Sequence, residues 1–82
     1  MEKRIGVIGI VIENRDNVAK LNLLLAEFAN CIIGRMGVPY REKEISIISL
    51  IVEGTTDEIG ALTGKIGSLK GVLVKTALTK LS

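Results

Sequence analysis

Eighty-two residues make one folding unit, of a size that buries only about 60% of the surface its unfolded chain exposes. Hydrophobic residues form 48% of the chain, and a net charge of +2 carried on dispersed basic residues is too weak to argue for nucleic acid or an anionic membrane. Cys31 is the only cysteine, which excludes an intrachain disulfide, fits a reducing cytoplasm and leaves self-association as the way to add stability.

Met1-Glu2-Lys3-Arg4 leads into the apolar run Ile5–Ile12, but Glu13, Asn14, Arg15 and Asp16 follow with no small-residue cleavage site, so export is not expected. No apolar run approaches the ~20 residues needed to cross a bilayer. A cytoplasmic protein without membrane contact is expected. The run Ile5–Ile12 is β-branched, short and broken only by Gly6 and Gly9, and reads as a buried strand. Asn14 and Asp16 are helix-capping types, and Val18, Leu21, Leu25 and Phe28 then recur at helical spacing, which predicts a helix over 16–30. A weaker strand with glycine interruptions follows over 32–38, and Pro39 with the charged segment 40–43 supplies a hairpin turn. Ile45–Val52 is the strongest strand. Thr55 and Glu58 have capping-box spacing ahead of Ile59, Leu62, Ile66 and Leu69, so a second helix is predicted over 56–69. Gly71 stops it, and 72–80 alternates as a last strand.

The order strand, helix, strand, strand, helix, strand predicts an α+β fold: a ferredoxin-like βαββαβ sandwich, its antiparallel sheet four-stranded, with both helices on one face. That topology sets the first and third strands, the most hydrophobic ones, at the centre. Helices cover one face only, and the other should then alternate with polar residues. It does not: Ile5, Val7 and Val11 oppose Ile8, Ile10 and Ile12, while Ile45, Ile47 and Ile51 oppose Ile48, Leu50 and Val52. Exposing such a face forgoes roughly 1.5–3 kcal/mol per large aliphatic and leaves a sticky patch. A homo-oligomer, dimer or tetramer, is expected, with Ile8, Ile10, Ile48 and Leu50 as its contact face.

The chain has no histidine, which removes the commonest general base and the commonest metal ligand. Cys31 alone cannot hold a structural zinc and reads as a small buried hydrophobe rather than a reactive thiol. Glu42, Glu44, Asp57 and Glu58 fall at a turn and a helix start, where solvation and capping explain them. No catalytic residue, metal site or cofactor is expected, and the chain is read as a binding protein, not an enzyme. Gly60-Ala61-Leu62-Thr63-Gly64-Lys65 is one residue short of a phosphate loop and lies inside a periodic helix. Gly60, Gly64 and Gly67 nevertheless share one stripe at 100° per residue, suiting either close approach of a subunit or ligand, with Lys65 beside it, or packing within the domain. Arg35 and Arg41 flank the hairpin as candidate contacts for an anion or a partner, or as parts of a solvated turn.

Ile33-Gly34-Arg35-Met36-Gly37-Val38-Pro39-Tyr40-Arg41-Glu42, Ile59–Gly67 and Gly71–Thr76 resemble the iron-only hydrogenase system regulator family, over nearly the whole chain. The resemblance implies a single ACT-like regulatory domain over 1–82, close in fold to the ligand-binding half of nickel-responsive repressors, and a role linked to hydrogenase expression or maturation. Those repressors bind metal through histidines and a cysteine, so a matching nickel site is excluded here. Direct DNA binding is not expected, because the βαββαβ unit takes up the chain. Two functions are read from this: a sensor binding a small effector at a subunit interface, near the first strand-to-helix turn (Glu13 to Asn17, with Glu13, Asn14, Asp16 and Asn17 as candidate contacts) or the glycine stripe, and an assembly module without a small ligand. A small enzyme acting through Lys65 or Glu58 ranks below both.

Overall fold

A computed structural model describes residues 2–79. Strand β1 (Arg4–Ile12) is followed by helix α1 (Val18–Glu27), strands β2 (Ile32–Tyr40) and β3 (Ile45–Gly54), helix α2 (Thr56–Gly67) and strand β4 (Val72–Leu78). The sheet is four-stranded and antiparallel in the order β2-β3-β1-β4, so β1 and β3 are central as their hydrophobicity requires. The ferredoxin-like α+β expectation holds.

Element ends differ from expectation for local reasons. The first helical stretch is α-helical only over Val18–Glu27, with tight 3-10 turns at Arg15–Asn17 and Ala29–Cys31. Asn14 Oδ1 accepts the Asp16 amide at 2.9 Å and fixes the entry turn. Strand β2 runs on through Pro39, which pairs in register with Ser46. An edge strand tolerates proline because half its amides have no ladder partner. The turn therefore falls later, at Arg41–Lys43, and Glu44 closes it in the left-handed region at φ 55. Helix α2 begins with the anticipated capping box: Thr55 Oγ1 accepts the Glu58 amide at 3.1 Å and Glu58 Oε1 accepts the Thr55 amide at 2.8 Å. It stops at Gly67, two residues early, and β4 is described to Leu78; the expected end at Lys80 lies outside the described residues.

The core lies between the sheet and the helices. Ile8, Ile10 and Ile12 of β1 and Ile48, Leu50 and Val52 of β3 meet Leu21 and Leu25 of α1 and Ile59, Leu62 and Ile66 of α2. This corrects the expected oligomer face: Ile8, Ile10, Ile48 and Leu50 are buried under the helices and cannot meet a second copy. Alternation alone does not say which face the helices take. The even-numbered face is continuous branched aliphatic over Ile8–Ile12 and Ile48–Val52, with Gly6 and Ser46 only at its ends, whereas the odd-numbered one is interrupted midway by Gly9 and Ser49, which stand opposite each other. A helix layer over that gap would leave a void, so the helices take the continuous face.

Candidate functional site

A depression of about 730 Å³ opens where the turn after β1 meets the β2–β3 hairpin, and is lined by Glu13, Asn14, Arg15, Pro39, Arg41 and Glu44. Two segments far apart in sequence build it. On one side, β1 ends at Ile12 and the chain is pinned to the loop before β4: the Glu13 and Asn14 amides both donate to the Gly71 carbonyl, at 2.7 and 3.3 Å. Asn17 Nδ2 adds a 2.6 Å bond to the Lys70 carbonyl. Gly71 makes this docking possible, since it lies at φ +77 and any Cβ there would strike Asn14. On the other side, the Glu44 amide donates to the Arg41 carbonyl at 3.2 Å and holds the hairpin turn. The cleft thus presents two guanidinium groups, two carboxylates and a carboxamide around open space. Such a wall can recognise the anionic end of a small molecule with Arg15 and Arg41 and its cationic or hydroxyl end with Glu13 and Glu44.

Of the residues singled out in the sequence, the structure brings Glu13, Asn14 and Arg41 together here. Asp16 and Asn17 sit in the same turn but do not line the cleft, and Asn17 is engaged with Lys70. Arg35 lies further along β2 in narrower grooves beside α1, with Asn22 common to both. The glycine stripe is elsewhere. A Cβ on Gly60 or Gly64 would meet nothing within 4 Å, so these face open space, while one on Gly67 would touch Val74 Cγ1 at 3.4 Å. Gly67 therefore serves packing onto β4, and packing within the domain does not explain the other two. Lys65 bridges the helices instead, pairing with Glu27 at 3.4 Å and lying 5.4 Å from the Phe28 ring centroid. Sequence reading missed Arg15, Pro39 and Glu44 as cleft residues, and Gly71 as the residue that shapes it. Only Gly71 carried a signal, as a glycine just past a helix end.

Cys31 is the remaining chemically notable group. It is buried, and its thiol faces Glu58 Oε2 at 3.8 Å. Burial, then the Glu58 charge, push its pKa above the ordinary thiol value, which favours the neutral thiol over the nucleophilic thiolate. Hydrogen bonds from Thr55 hold Glu58 below the usual carboxylate range. Among the described residues no three or more carboxylate or thiol side chains gather into a metal-ligating group, and no helix is long and apolar enough to cross a membrane.

Comparison with known proteins agrees with this architecture. The TM1266-like family model, described as iron-only hydrogenase system regulator, matches residues 4–76. No curated protein matches. Among solved structures, the uncharacterized protein TM1266 from Thermotoga maritima is 40% identical with a TM-score of 0.92, covering 96% of this chain and 100% of that one. A formyltetrahydrofolate deformylase from Pseudomonas syringae pv. tomato superposes at TM-score 0.65 with 13% identity, over 95% of this chain and 28% of the enzyme. The divalent ion tolerance protein CutA1 from Ehrlichia chaffeensis gives 0.50 with 17% identity, over 100% and 87%. At these low identities the last two show the fold alone, a ferredoxin-type, ACT-like arrangement.

Proposed function

The chain belongs to the TM1266-like family, described as iron-only hydrogenase system regulators, and we propose that it acts there as a small-ligand sensor and not as a catalyst. The sensor is cytoplasmic and works as a homo-oligomer. One observation carries this reading: the cleft between the β1–α1 turn and the β2–β3 hairpin gathers Glu13, Asn14, Arg15, Arg41 and Glu44 around about 730 Å³ of open space. Charges of both signs facing one volume suit a small polar metabolite carrying an anionic and a cationic or hydroxyl group. Ligand binding there bridges the β1–α1 turn and the β2–β3 hairpin, and regulation follows if one quaternary arrangement binds it more tightly than another.

A thermal-shift screen with amino acids, nucleotides and metal ions tests the reading. A saturable rise in melting temperature is expected from one class, and Arg41→Ala should abolish it while leaving the unliganded melting temperature within about 1–2 °C, as for a surface substitution. A flat screen would reject the sensor. The second reading, an assembly module without a small ligand, is favoured by the half-exposed aliphatics of the sheet face turned away from the helices. A flat screen together with a stable partner in pull-down would support that module.

A further inference from the structure

On the sheet face turned away from the helices, Ile5, Val7, Val38, Ile47, Ile51 and Leu73 are each between 40% and 58% exposed. Register places these residues in rows across the strands. Val7 stands beside Ile51 and Ala77, and Val11 beside Ile47 and Leu73. Between these two rows lies a third, in which Gly9 is flanked by Ser49 and Lys75, and Met36 of edge strand β2 stands beside Ser49 at its end. The centre of the apolar face is therefore a furrow floored by Gly9 and Ser49, with a ridge of branched side chains on either side.

We propose that a second copy of this chain covers this face, packed sheet against sheet about a two-fold axis running across the strands. Val7 and Ile51 of each copy then sit over Gly9 and Ser49 of the other. The inference rests on the homo-oligomeric part of the function proposed above and names its surface. A ridge and a matching furrow on one surface are what a self-complementary, isologous contact needs. Charge points the same way. Among the described residues of these rows, Glu53 and Lys75 are the charged ones, too few and too mixed to select a strongly charged partner. The stated axis passes between the Val7 and Gly9 rows, so Lys75 lies over Ala77 of the second copy and not over its own counterpart. Lys75 belongs to edge strand β4, where its stem can cover apolar surface while the ammonium reaches water. Area is sufficient: strands about 4.8 Å apart and about seven residues at ~3.3 Å each give about 450 Å² in projection per copy. With the relief of side chains added, the pair buries about 1,000 Å² or more, the level specific contacts reach.

Sedimentation equilibrium at tens of micromolar tests the arrangement. The expected mass is at least twice the 8.8 kDa of the chain. Val7→Lys and Ile51→Lys, each on the exposed side of the sheet, should halve that mass with an unchanged circular dichroism spectrum. Leu23→Lys, at an exposed position on α1, should leave it intact. Gly9→Val probes the furrow itself, because a Cβ there meets only the Lys75 carbonyl at 4.0 Å within the chain. It should weaken association at least tenfold. A wild-type mass of 8.8 kDa, a dimer that survives both lysine substitutions, or unchanged association of Gly9→Val would each overturn the proposal. The ligand screen is read separately: a flat screen with a stable dimer rejects only the sensor, a saturable shift on an oligomer that survives both lysine substitutions rejects only this interface, and a saturable shift on a monomer rejects the homo-oligomer together with this interface.

Discussion

At the residue scale, Cys31 and Glu58 couple the start of α2 to the end of the turn after α1, and each has a shifted ionisation with a consequence for stability. The Cys31 pKa is raised in the fold, first by burial and then by Glu58. Between the unfolded and folded values the native state holds more protons than the unfolded chain. The stability contributed by the neutral thiol is therefore complete below the unfolded value of about 8.5 and is lost as pH rises through the folded one. Urea midpoints should decline above that pH, and Cys31→Ala should flatten the decline; an equally steep fall in the variant would assign it to other groups. Glu58 has the opposite sign, since its lowered pKa makes its contribution complete above the ordinary value and lost as pH falls through the folded one. Thr55 makes the reciprocal cap. Thr55→Ala should cost about 1 kcal/mol in urea unfolding, with little change in m-value. These roles were legible in sequence because a capping box is a local pattern. The contact of Cys31 with Glu58 was not, since 27 residues separate them and only the packed fold brings them together.

At the element scale, two glycine sites that look alike in sequence behave differently. Gly71 sits at φ +77 against Asn14, so Gly71→Ala should destabilise the chain by about 1–3 kcal/mol and open the turn that carries Glu13. Gly64 lies inside α2 with nothing near its missing side chain. Gly64→Ala should stabilise the isolated chain by about 0.5–1 kcal/mol, as chemical denaturation would show. If the same substitution also weakened association or ligand binding, something outside the chain approaches α2 there. Period and capping located both helices and all the strands. Their ends moved where tertiary bonds compete: Asn17 reaches Lys70, and Pro39 is drawn into β2 by its register with Ser46. Neither effect leaves a mark in the nearby residues.

At the scale of the whole molecule, one layer of side chains does most of the holding. Ile10 is fully enclosed beneath the helices, and Ile10→Ala should cost about 2–5 kcal/mol. In a domain of this size that is a large share of the stability, and a urea titration should show most of the midpoint lost. Val7, on the opposite face of the same strand, is half exposed. Val7→Ala should cost the folded chain about 1 kcal/mol or less, with any larger effect appearing only as a dependence of stability on protein concentration.

What the sequence determined by itself follows from short-range physics: alternation and helical period name the elements, glycine and proline punctuate them, and the hydrophobicity of the first and third strands sets them at the sheet centre. The apolar surplus on both faces of those strands was visible too. Only the tertiary structure decided which face the helices cover, because both faces of an alternating strand satisfy the same pattern and the choice turns on the gap at Gly9 and Ser49. Only it assembled the cleft, for Arg41 and Glu13 meet through the pairing of distant strands and the docking of Asn14 on Gly71. Long-range register is a property of the packed sheet, and no window along the chain contains it.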